Sequence, residues 1–198
     1  MRRRSVLAGA ILAAAVTTVS TAGANAQQFQ AKFSGFQEVG PLPGPSAAET
    51  GAILSPGQGT LTLTLKQQAP PSLTFTLTYS GLSSTAQTVT QSHIHFGKVH
   101  VPGGVIVFFC TNLNNGPAST QLCPNALTGN NTVTGTITGA NIVGPAAQNI
   151  PAGDFDGLVA ALLSDTAYGN IHTTKFPAGE IRGQIHKVED QQGNQNQQ

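Results

Sequence analysis

Two stretches of this chain alternate apolar and polar residues without a break. Residues Thr60 to Leu65 read Thr-Leu-Thr-Leu-Thr-Leu, and Leu73 to Tyr79 read Leu-Thr-Phe-Thr-Leu-Thr-Tyr. A period of two belongs to the extended strand, whose successive side chains point to opposite faces. Leucine, phenylalanine and tyrosine then share a face that must be buried, and β-branched threonine takes the other. Between the two runs lies Gln67-Gln68-Ala69-Pro70-Pro71, a connection of hairpin length whose prolines stop either strand from running on.

Further strands are predicted at Phe29–Phe36, Ser92–Phe96, Val105–Thr111, Thr132–Ile137, Tyr168–His172 and Glu180–Lys187. Val105 to Phe109 is continuously apolar, which predicts a strand in mid-core with both faces covered. Only Asp154 to Ser164 has helical spacing, with Phe155, Leu158, Val159, Leu162 and Leu163 on one face and Asp154 or Asp156 as cap. About eight short strands with glycine-rich turns make an all-β fold, an antiparallel Greek-key-like sandwich or barrel with one short helix. A proline-rich loop runs from Pro41 to Ser55. The stretch 29–188 suits one domain with a sizeable core. The tail 189–198, rich in Gln and Asn, has no core to join and is expected to be disordered.

The first 26 residues have the layout of a secretory signal peptide. Arg2, Arg3 and Arg4 form a basic head, Val6 to Val19 is uncharged and alanine-rich, and Ala24-Asn25-Ala26 is a small-x-small cleavage pattern. The apolar run is too short and too weakly hydrophobic to span a bilayer core of roughly 30 Å. Arg3-Arg4-Ser5-Val6-Leu7 also resembles a twin-arginine signal, so either export route is open. The expected location is exported, periplasmic or extracellular. Cleavage leaves six basic side chains against eight acidic ones. No basic cluster remains to attract nucleic acid or anionic lipid, and no second apolar segment could form a membrane span.

Cys110 and Cys123 are the only cysteines. In an exported chain an even pair reads as a disulfide, here closing a loop rich in Asn, Gly, Pro and Ser. Two thiolates on a metal would need further soft ligands, and none stands at a recognisable spacing.

Three segments carry the polar chemistry: Ser92-His93-Ile94-His95-Phe96-Gly97, Gly169-Asn170-Ile171-His172-Thr173, and Gly179-Glu180-Ile181-Arg182-Gly183-Gln184-Ile185-His186. Read as strands, Ile94, Phe96, Ile171, Ile181 and Ile185 face a core, while His93, His95, His172, Glu180, Arg182, Gln184 and His186 would line an accessible surface. His93 and His95 project from one face close enough to share an ion, and His172 is a natural third ligand for copper or zinc if its strand is a neighbour. Glu180 could complete that shell or orient a histidine from behind. The alternative is that these histidines only exchange hydrogen bonds on a polar sheet face. Glu180 and Arg182, at i and i+2, can pair with each other or with Glu38 as a structural brace. His186 is expected to be a bystander, and His100 to face solvent.

Four segments in order carry a resemblance: Ser34-Gly35-Phe36-Gln37-Glu38-Val39, His93-Ile94-His95-Phe96-Gly97, Tyr168-Gly169-Asn170-Ile171-His172-Thr173 and Gly179-Glu180-Ile181-Arg182-Gly183-Gln184. Together they are similar to the CHRD domain, found in chordin and in exported bacterial proteins, over roughly Phe29 to Lys187. One departure is Gly40, which intervenes before Pro41 where the family usually places proline directly after Glu-Val. The resemblance implies a compact β-rich exported domain and no particular enzyme activity. The His-x-His strand is also similar to the copper-binding strand of Cu/Zn superoxide dismutase.

No Gly-x-Ser-x-Gly and no phosphate-binding glycine loop occurs, so no catalytic residue is assigned. Two functions stay open. One is a non-enzymatic binding or structural module of the periplasm or cell exterior, with an unknown protein or small-ion ligand as partner. The other is a metalloprotein of the same fold with copper or zinc on His93, His95 and His172, with superoxide-dismutase-like redox activity as its furthest extension.

Overall fold

A computed structural model of the chain describes residues 26–42, 49–82, 89–125 and 129–189. The predicted signal peptide apart from Ala26, and the predicted tail apart from Glu189, lie outside the described residues.

The strands, in chain order, are β1 (Gln27–Ser34), β2 (Gln58–Lys66), β3 (Ser72–Ser80), β4 (Val89–Phe96), β5 (Gly104–Thr111), β6 (Asn131–Ile137), β7 (Ala167–Thr173), β8 (Ile181–Gln184) and β9 (His186–Lys187). Their order across the sheet is β5-β4-β7-β8-β1-β2-β3-β6, with β9 also on β1. Every pairing is antiparallel. The sheet curls until its two ends nearly meet. Val107 of β5 bridges Ile142, just beyond β6, and the rings of Phe75 (β3) and Phe109 (β5) stand 4.7 Å apart. The result is an all-β, nearly closed barrel, which decides between the two expected architectures.

The alternation that marks β2 and β3 sets their register. Leu61, Leu63 and Leu65 pair with Leu77, Phe75 and Leu73, and all six are buried. Thr60, Thr62 and Thr64 pair with Thr78, Thr76 and Thr74 on the outer face. A one-residue slip would turn every leucine outward, and each fully buried leucine is worth about 1.5–3 kcal/mol. The helix, α1 (Phe155–Leu163), is capped by Asp154, whose Oδ1 accepts from the Gly157 amide at 2.8 Å. Phe155, Leu158, Ala161 and Leu162 are its buried face, whereas Leu163 is exposed.

Two expectations are corrected and a third is qualified. The strand predicted at Phe29–Phe36 ends at Ser34, and Gly35–Gln37 form a 3-10 turn. The segment predicted as Glu180–Lys187 is interrupted at Ile185, so that β8 borders β7 while β9 returns to β1. The apolar strand around Val105–Phe109 is deep in the core at Ile106, Val107 and Phe109, although it ends the sheet path. Ile106 and Val107 are fully buried, but Val105 and Phe108 are only partly covered. Its long apolar run reflects a seam where loops replace a neighbouring strand.

Candidate metal centre

The site is built on β7 and its two neighbours. Across β4, β7 and β8, His93 pairs with Asn170 and Asn170 with Arg182; His95 pairs with Tyr168 and Tyr168 with Gln184. Gln91 pairs with His172 beside them. All these side chains share one face. On the other face Ile94, Ile171 and Ile181 are fully buried in the core, as the alternation predicts.

The polar face, expected to line an accessible surface, is buried. His93 is 2% exposed, and His95 and His172 are 7% each. The covering comes from loops. The β4–β5 connection supplies Gly103, whose carbonyl takes a hydrogen bond from His95 Nδ1 at 2.9 Å, while its amide donates to Tyr168 Oη. The β7–β8 connection supplies the Pro177 carbonyl, 2.8 Å from His172 Nδ1. A sheet face lined with imidazoles leaves polar atoms that flanking loops can satisfy with backbone, so the loops fold over it.

The three imidazoles offer ligand atoms that all lie within 4.8 Å of one another. Ring centroids are 5.0 Å apart for His93 and His172 and 5.3 Å for His93 and His95. The Nε2 atoms of His95 and His172 each lie 3.0 Å from the same oxygen, Oδ1 of Asn170. His93 differs: both of its ring nitrogens are buried and make no hydrogen bond among the described residues. The Phe108 ring stands edge-to-face with it, the centroids 4.3 Å apart.

Burial removes water from all three rings and disfavours their charged forms. Desolvation, with the adjacent His172 and His95, lowers His93 to about 2. Desolvation lowers His95 to about 4 against the opposing bond to Gly103. His172 is lowered by burial too, opposed by its bond to Pro177. At neutral pH the cluster is three neutral imidazoles, the form that binds metals.

The carboxylates are arranged differently from the sequence expectation. Glu180 lies just before β8, and its two oxygens accept from the hydroxyls of Ser55 at 2.6 Å and Thr173 at 2.8 Å. Thr173 follows His172 in the strand and points to the opposite face, so Glu180 does not join the imidazoles. Glu38 approaches instead. Its Oε1 accepts from the amides of Val39 and Gly40 at 2.9 and 3.3 Å. Burial raises its carboxyl, opposed by those amides, the Arg182 charge and the neighbouring Asn170 amide. Arg182, almost wholly buried, lies flat over Tyr168 at 3.6 Å and donates from Nη2 to the Lys98 and Val101 carbonyls. Gln184 Nε2 donates to Gly97 and Asp165. These two side chains hold the β4–β5 loop down. Glu38 Oε2 and Arg182 Nη1, like the His93 nitrogens, are buried without a hydrogen bond among the described residues.

His186 is exposed, 3.3 Å from Asp165, and His100 sits in an exposed turn at φ 60°. Cys110 and Cys123 are joined. In their loop Gly116 lies close to both the Phe108 ring and Thr120. Sequence reasoning missed the central position of Asn170 and the stacking of Tyr168 on His95 (4.8 Å, 3° between planes). Asn170 falls two residues before His172, and that spacing alone puts it on the histidine face.

A nearly closed antiparallel barrel with a buried three-histidine cluster under its loops defines a small β-domain, and those three histidines could hold a metal ion. The model of the CHRD domain matches residues 29–185, and the chain belongs to that family. No curated protein and no solved structure matches the chain. No helix among the described residues is long and apolar enough to cross a membrane.

Proposed function

We propose that this protein is an exported metal-binding member of the CHRD domain family, with His93, His95 and His172 holding copper or zinc. The observation that carries this reading is His93, whose two buried nitrogens meet no hydrogen-bond partner among the described residues while two further imidazoles converge on it. A buried imidazole without a partner costs about 1–3 kcal/mol, which a metal–nitrogen bond repays. The backbone carbonyls on His95 and His172 support the reading, since Nδ1–H bonded to a carbonyl leaves Nε2 as a lone pair for an ion. Copper would bring one-electron chemistry to this position, and zinc would not. Export is supported by the signal-type leader and is compatible with the disulfide.

The test is elemental analysis of untagged, folded protein, followed by His93→Ala with His172→Ala. The double variant is expected to lose copper and zinc while keeping its β-sheet circular dichroism. A collapsed spectrum would instead mark the histidines as a structural brace. That second reading, a non-enzymatic binding or structural module, is favoured by Arg182 and Gln184, which use the same face to fasten a loop.

A further inference from the structure

We infer, on the reading that His93, His95 and His172 hold an ion, that the side-chain oxygen of Asn170 is the fourth ligand and closes the site to exogenous molecules. Two relationships lead there. Nitrogen and oxygen ligands about 2.0–2.2 Å from a tetrahedral ion stand roughly 3.3 Å from each other. Asn170 Oδ1 lies 3.0 Å from Nε2 of both His95 and His172, the separation of neighbouring ligands on one ion.

Protons supply the second. His95 and His172 each face a backbone carbonyl through Nδ1, at Gly103 and Pro177. A neutral imidazole carries a single N–H, and the carbonyl can be met only by that proton. Both Nε2 atoms therefore present lone pairs, and the atom between them is an amide oxygen that also has only lone pairs to offer. The Glu38 carboxyl is buried near the same amide. Three lone pairs meeting in a buried space repel one another, and a cation among them relieves that repulsion.

The functional consequence is a choice between two kinds of site. Structural metal sites are fully ligated by protein, whereas catalytic ones keep a position for water or substrate. With His93, His95, His172 and Asn170 all buried, the ion is of the closed kind. It ties the loops carrying Gly103 and Pro177 to the sheet and does not turn over a small oxidant such as superoxide by direct binding.

Cobalt(II) is the probe, with its visible spectrum as readout and azide as the test ligand. Cobalt-loaded native protein is expected to show no spectral change with azide. Asn170→Ala, its fourth position opened, is expected to develop an azide charge-transfer band, and Asn170→Asp, which keeps an oxygen donor, to stay silent. Azide binding equally well to the native protein and to Asn170→Ala would overturn the closed site. Should Asn170→Ala not fold, azide binding to the native protein or to Asn170→Asp overturns it, and silence in both upholds it. Native protein that takes up no cobalt, copper or zinc would instead remove the three-histidine reading itself.

Discussion

The ring of Phe33 lies against the backbone of Gly169, on the side of β7 turned away from the histidines. A Cβ at Gly169 would stand 2.6 Å from Phe33 Cζ, and Phe33 is itself packed in the core. Gly169→Ala is therefore expected to destabilise the fold by about 1–3 kcal/mol, the usual cost of overpacking. Urea denaturation checks it, and Phe33→Leu in the same chain should recover part of the loss.

Stability should fall with acid in a window set by the cluster. In the unfolded chain the imidazoles titrate near 6.5, whereas the folded protein holds His95 to about 4 and His93 to about 2. Below pH 6.5 the unfolded state binds protons that the folded state refuses, so stability declines as pH drops toward 4 and further. Raised Glu38 acts oppositely, so the measurement is a difference. The denaturation midpoint of metal-free native protein should fall more steeply between pH 6.5 and 4 than that of His93→Gln. Parallel slopes would contradict the burial of His93.

Arg182 is expected to resist replacement by lysine. Its guanidinium lies over Tyr168 and reaches carbonyls at Lys98 and Val101, which a compact ammonium cannot do together. Arg182→Lys should cost roughly 2–4 kcal/mol by leaving buried acceptors unmet. Limited proteolysis should then cut first between Gly97 and Gly103.

Cys110 and Cys123 should resist alkylation until reduced. The loop they close spans 13 positions, and losing the bond should cost about 3 kcal/mol while the β-sheet persists on its own core. Near-ultraviolet spectra around Phe108 are the sensitive readout, because Gly116 of the loop lies close to that ring.

Protein recovered outside the cytoplasm is expected to begin at Gln27. Intact-mass measurement decides it, and a retained Met1 would remove the ground for export.

Alternation along β2 and β3 made the barrel wall legible, since Leu61 to Leu65 and Leu73 to Tyr79 can face only one way. The same rule put His93, His95 and His172 on a common face. Periodicity records which side of a sheet a residue takes, but not what later folds over it. Gly103 and Pro177 cover the histidines through backbone carbonyls, which no side-chain pattern announces. Glu180 was misplaced for a related reason. It lies outside β8, where strict alternation no longer governs, and it turns to Ser55 and Thr173. Glu38, 142 positions earlier than Glu180 in the chain, comes near Arg182 because β1, which precedes it, borders β8.

The seam between β5 and β6 bears on how this chain avoids sticking to copies of itself. A barrel that stops short of closure leaves two strand edges, and bare edges invite another chain to add a strand. Here the amide of Val143 donates to the Ile106 carbonyl, the Thr111 amide to Gln121, and Gln121 Nε2 to Thr134. Loop segments thus occupy bonds that a stranger would take, and the Cys110–Cys123 link holds one of them in place. Opening that link would loosen the loop that satisfies Thr111 and bare part of the β5 edge, so the disulfide guards the seam against strand addition as well as adding stability.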